Sequence, residues 1–161
     1  MITEIKSLLE TPEPPELGPG PRSGVTAEKT LDEQLRRLGG SDLLRAMVLI
    51  WHDHLDAAHQ IAQAIETPDG SYVHAIIHRR EPDYWNSKYW FRRVGEHPCF
   101  AELANHVEDP KLRARLTGKG TWDPFAFVDL CEKGEGPNLL REIQATEINL
   151  LADYFASRKE R

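Results

Sequence analysis

The chain has 161 residues, enough for one domain with a sizeable core, and its 40% apolar and 29% charged residues are ordinary for a soluble globular protein. A net charge of −6 excludes a surface built as a whole for nucleic acid or anionic membrane. Two cysteines, Cys99 and Cys131, lack paired spacing, so neither a disulfide framework nor a zinc knuckle is expected. The opening MITEIKSLLE is acidic and has no apolar core, and no run reaches the roughly 20 apolar residues of a membrane span. The expectation is a cytoplasmic protein with no nucleic-acid or membrane partner.

In chain order, Ile2, Ile5, Leu8 and Leu9 predict a short amphipathic helix that must dock to persist. Residues 11–24 hold five prolines and three glycines with no periodicity, and read as an extended tether rather than an ordered wrap. Residues 1–25 are therefore taken as an arm and linker, and 26–161 as a single domain. Leu31, Leu35 and Leu38 predict a helix ending at Gly39-Gly40. Ser41 or Asp42 then caps one long helix to about Glu66, its apolar seam running through Leu44, Val48, Trp51, Leu55, Ala58, Ala62 and Ile65.

Thr67-Pro68-Asp69-Gly70 reads as a turn, followed by a helix from about Ser71 to Glu81 that Pro82 ends. Asp83 or Asn86 caps the next helix, which runs to about Gly95. Phe100 to Val107 predicts another, stopped by Asp109-Pro110 and briefly continued over 111–116. Asp123-Pro124 and Pro137 open the last two. The fold class is all-α, a helical bundle of six or seven helices with a proline-rich arm.

The chemistry concentrates in residues 51–81, which hold five of the seven histidines. His52, Asp56 and His59 fall at i, i+4 and i+7, and His74, His78 and Glu81 repeat that spacing after the turn. Antiparallel neighbours would set His59 and His78 at similar height. These six residues are the candidate ligands of a divalent transition metal such as zinc, iron, nickel or manganese. Spacing alone favours a plainer reading, in which Asp56 and Glu81 only orient the histidines or pair with arginines. No HExxH, ExxH repeat or cysteine ligand is present. His52-Asp53 lacks the earlier histidine that metal phosphohydrolases of the HD type need.

Residues 70–97 carry five cations against three carboxylates, a net +2 in an acidic chain, interleaved with Tyr72, Tyr84, Trp85, Tyr89, Trp90 and Phe91. Arg79, Arg80, Lys88 and Arg93 are the candidate binders of a small anionic ligand. His97 and His106 stand apart and are taken as structural. No nucleophile elbow, Walker loop or dinucleotide fingerprint occurs.

The run HAIIHRREPDYWNSKYWFRRVGEHP, residues 74–98, with WHDHLDAAHQIA before it, resembles a family of small helical proteins with no established activity. The resemblance covers roughly a third of the chain. It implies that this hairpin is the working part and supplies no mechanism. Two functions are carried forward. One is a pocket between the histidine-bearing helices that binds a small anion, with a metal and acid–base chemistry as options. The other is a non-catalytic interaction or homodimerisation module built on the aromatic helix 83–94, with a structural histidine network.

Overall fold

The computed structural model describes residues 2–158, and of Ile2 the backbone alone, so its place in the first apolar stripe lies outside the described residues. The described residues are all helical in their regular structure. Ten helices appear: α1 (Ile2–Leu8), α2 (Glu28–Leu38), α3 (Asp42–Trp51), α4 (Leu55–Ala62), α5 (Pro68–Arg80), α6 (Tyr84–Val94), α7 (Pro98–Asn105), α8 (Pro110–Leu116), α9 (Pro124–Lys133) and α10 (Pro137–Ser157). The all-α expectation stands, but six or seven is too low a count.

The excess arises in two ways. The predicted long helix 41–66 is broken after Trp51, where Asp53 adopts a left-handed φ of 66° and the chain restarts at Leu55. The docked α1 and the separate α8 supply the rest. Proline explains several of the starts. Pro68, Pro98, Pro110, Pro124 and Pro137 each stand in a first helical turn, where the missing N–H costs nothing. Thr67, His97, Asp109 and Asp123 cap four of those helices by accepting backbone N–H bonds. Thr67-Pro68-Asp69-Gly70, predicted as a turn, is thus the cap and first turn of α5. At Gly70 an added Cβ would lie 2.1 Å from the Ile65 carbonyl oxygen, so this crossing excludes any side chain.

Helix α5 is central. Every residue from Gly70 to Arg80 is buried, and it packs on α6, α4 and α3. Such burial all round is unusual for a helix holding His74, His78, Arg79 and Arg80, and each finds a polar partner. Helix α10 packs across α3 and α7 and touches α1 and α9.

The arm is the second departure. It is a wrap, not a tether. Ile5 and Leu9 are buried in the core. Arg141 donates to the Pro14 and Pro15 carbonyls, Gln144 to that of Glu16, and the Trp51 indole to Thr11 Oγ1. Over residues 11–24 no apolar pattern announces the wrap, because it is fastened by backbone carbonyls, Thr11 and Arg22 rather than by apolar side chains. Among the described residues no helix is long and apolar enough to cross a membrane. Cys99 and Cys131 are free and buried, and burial pushes their thiols up to about 12 and about 11.

Candidate functional site

His74 and His78 sit one turn apart on α5, and His59 faces them from α4. One ring nitrogen of each lies within 4.8 Å of the others. His59 and His74 meet through their Nε2 atoms at 2.9 Å, so one must donate and the other accept. The His74 and His78 rings stack at 4.8 Å between centroids. Glu81 caps the C-terminus of α5, and its Oε2 lies 2.8 Å from His78 Nδ1. An ionised carboxylate can only accept, so it takes the proton on Nδ1, and in the neutral imidazole Nε2 then keeps its lone pair. Asp83 lies near His78 and Glu81 but already caps α6 through the Asn86 N–H. From α6, Trp90 stacks on His74 at 3.9 Å.

Burial lowers the His74 pKa to about 4, and the charges of His78 and His59 push the same way. His74 is therefore neutral at ordinary pH, the state a metal ligand requires. Two nitrogens on one tetrahedral ion are about 3.3 Å apart for metal–nitrogen bonds of about 2.0–2.1 Å. The observed 2.9 Å is a hydrogen-bond distance, so an ion would need these two nitrogens to part slightly and any pair of the three near the 4.8 Å limit to close.

The depressed pKa carries a stability prediction. Between pH 6.5, the ordinary histidine value, and about 4, the unfolded chain takes up a proton that folded His74 refuses. Stability is thus complete above pH 6.5 and falls as pH drops through that window. The loss is on the order of 3 kcal/mol at about 1.36 kcal/mol per pKa unit. Urea midpoints of chelator-treated protein at about pH 7.5, above that window, and at about pH 4.5, near its lower end, would measure most of it, and His74→Phe should flatten the slope.

Of the six predicted ligands, the structure brings together His59, His74 and His78, with Glu81 behind His78. The other two are corrected. His52 is turned away, its Nε2 2.6 Å from the Leu8 carbonyl oxygen and its Nδ1 accepting from the Thr26 N–H. The break after Trp51 takes His52 off the helix that carries His59. Asp56 lies on α4 but is exposed and outside the group.

The anion-binding set is corrected further. Arg79 is fully buried and paired with Glu147 at 2.6 Å, its guanidinium also bonded to Gln144 and lying over Phe127. Arg80 is fully buried too, and gives its donors to Asp53 at 2.7 Å and to the Ile50 and Gly18 carbonyls. Lys88 pairs with Asp129 at 2.5 Å. Arg79 and Arg80 are thus answered inside the protein and out of reach of a ligand, and the Lys88 charge is answered at the surface. Arg93 alone of the four is exposed with no carboxylate partner among the described residues.

His97, taken as structural, is buried against Tyr72. It bonds Asp69 and caps α7. Sequence reasoning missed Trp90 as a neighbour of the site; its place one helix on, with Asp83 and Asn86 at helical spacing, was the available signal. Comparisons with known proteins find no matching family model, curated protein or solved structure.

Proposed function

We propose that this protein binds a divalent transition metal through His59, His74 and His78, with Glu81 orienting His78. The observation that carries the reading is the convergence of three ring nitrogens within 4.8 Å. It is strengthened by the 2.8 Å Glu81–His78 bond, because a carboxylate behind a ligating imidazole raises its basicity and fixes its ring. Three imidazoles leave coordination positions for water or a small anion, as open sites do and closed structural sites do not. The imidazole set suits zinc, copper, nickel or iron.

Trp90 supplies a built-in reporter. Cobalt, nickel or copper within a ring's thickness of His74 is expected to quench its fluorescence, and Trp90→Phe to remove most of the response. Calorimetric titration of chelator-treated protein should give near one ion per chain, lost in His59→Ala and His78→Ala. A parent protein that takes up no zinc, nickel, cobalt or copper and melts unchanged in their presence would falsify the proposal.

A second reading rests on a separate observation. Trp85 is 73% exposed and its ring lies parallel to that of Tyr89, at 6.3 Å. An exposed aromatic pair on α6 supports the interaction module. Sedimentation separates the two: Trp85→Ala should leave metal uptake intact, and it should dissociate any oligomer that this face holds.

A further inference from the structure

We infer that the small ligand taken at the three-histidine centre is a planar carboxylate, its charged end set between the metal and Arg93 and its flat body against Tyr89 and Trp85; this rests on the metal reading above. Arg93 is exposed but positioned. Its Nη1 donates to the Tyr89 hydroxyl at 3.4 Å, and its guanidinium lies 5.9 Å from the Tyr89 ring centroid and 5.3 Å from that of Trp90. Trp90 stacks on His74 at 3.9 Å, so the guanidinium stands no more than about 9 Å from the His74 ring. The Trp90 indole joins the two groups, so a molecule that reaches both must pass along the edge of that ring.

The charge balance asks for an anion. A divalent ion on three imidazoles would be offset by Glu81 alone, and Arg93 adds a further positive charge within about 9 Å of the His74 ring. Arg79, Arg80 and Lys88 are each neutralised by a carboxylate of the protein, whereas Arg93 has none among the described residues. A planar guanidinium matches a carboxylate in shape and charge. The neighbouring rings decide between carboxylate and inorganic anion. Trp85 is largely exposed and Tyr89 partly so. A flat apolar body would cover their faces, which phosphate or acetate would leave bare.

The test uses the full chain loaded with cobalt, whose visible band reports on its ligands. Benzoate and salicylate are expected to shift that band at concentrations well below those needed for acetate or inorganic phosphate. Arg93→Gln should raise the benzoate half-saturation about tenfold or more while leaving cobalt affinity unchanged. Trp85→Ala should weaken benzoate and not acetate. Arg93 and Trp85 are exposed, so these variants fold. If cobalt binds and no aryl carboxylate shifts the band, or Arg93→Gln titrates like the parent, this inference falls and the metal reading stands. Phosphate binding more tightly than benzoate overturns the planar class. If the chain takes up none of cobalt, zinc, nickel or copper, both readings fall together.

Discussion

Glu147→Ala is expected to cost about 3–5 kcal/mol, as is usual when a buried ion pair is stripped of one partner. Glu147 and Arg79 are both essentially inaccessible. Burial works against the Arg79 charge, but its neighbours, Glu147 first among them, more than reverse that effect, so the guanidinium stays charged. The same carboxylate accepts from the Tyr72 hydroxyl at 2.9 Å. Alanine would leave a buried cation and a buried hydroxyl without their acceptor, and Gln144 alone cannot replace it. Against a total stability of about 5–15 kcal/mol, this is a large fraction. The readout is the urea midpoint. Arg79→Met combined with Glu147→Leu removes both charges and should recover much of the loss. A Glu147→Ala protein that denatures like the parent would mean the pair contributes nothing.

That pair also shows why the arginines are misleading in the sequence. Arg79 finds Glu147 sixty-eight positions away, and Arg80 finds Asp53 twenty-seven away. Local charge counting sees a basic excess and looks for a ligand, but the neutralising carboxylates come from α10 and the α3–α4 link. Helix positions are better announced. Ser41, Asp83 and Asp123 cap helices where their side chains allow it, and Asp123-Pro124 and Pro137 are legible as starts. Pro68 and Pro110 look like a turn and a stop, because proline ends a helix on its N-terminal side as surely as it opens one on its C-terminal side.

The α3–α4 break has no such signal. The apolar seam runs through it without glycine or proline, and a left-handed aspartate is held there by local bonds from the Asp53 and His54 N–H groups to the Ile50 and Leu49 carbonyls and by tertiary contacts to Arg22 and Arg80. His59, His74 and His78 are legible because each lies inside an unbroken helix. His52 is not, because it sits at the break. The arm escapes notice for a related reason: over residues 11–24 its fasteners are backbone carbonyls and two isolated polar side chains, Thr11 and Arg22, which apolar periodicity does not encode.

Asp53 is where break, arm and central helix are joined, and Asp53→Asn is expected to cost about 3 kcal/mol or more. Its Oδ1 accepts from Arg80 Nη2 and Arg22 Nη1, each at 2.7 Å, and its Oδ2 from the Arg22 N–H at 2.8 Å. Burial alone would raise its pKa, but these bonds outweigh it and hold the carboxyl below its ordinary value. Gly20, at φ 70°, stands so close that a Cβ there would meet Asp53 Oδ2 at 2.8 Å. Asparagine tolerates the left-handed conformation, so the substitution isolates the charge. It leaves the fully buried Arg80 with neutral acceptors only. For a domain of this size the loss is about 6–12 °C in melting temperature.

A chain shortened to begin at Val25 should also melt many degrees lower, contrary to the tether expectation. It loses Arg22, the Gly18 carbonyl that Arg80 Nε uses, and the buried Ile5 and Leu9. The two changes share Arg22 and should not add. Asp53→Asn is therefore expected to cost less in the shortened chain than in the full one. Equal costs in both would show that the arm does not act through this carboxylate. A shortened chain as stable as the parent would show that the wrap contributes nothing to the fold.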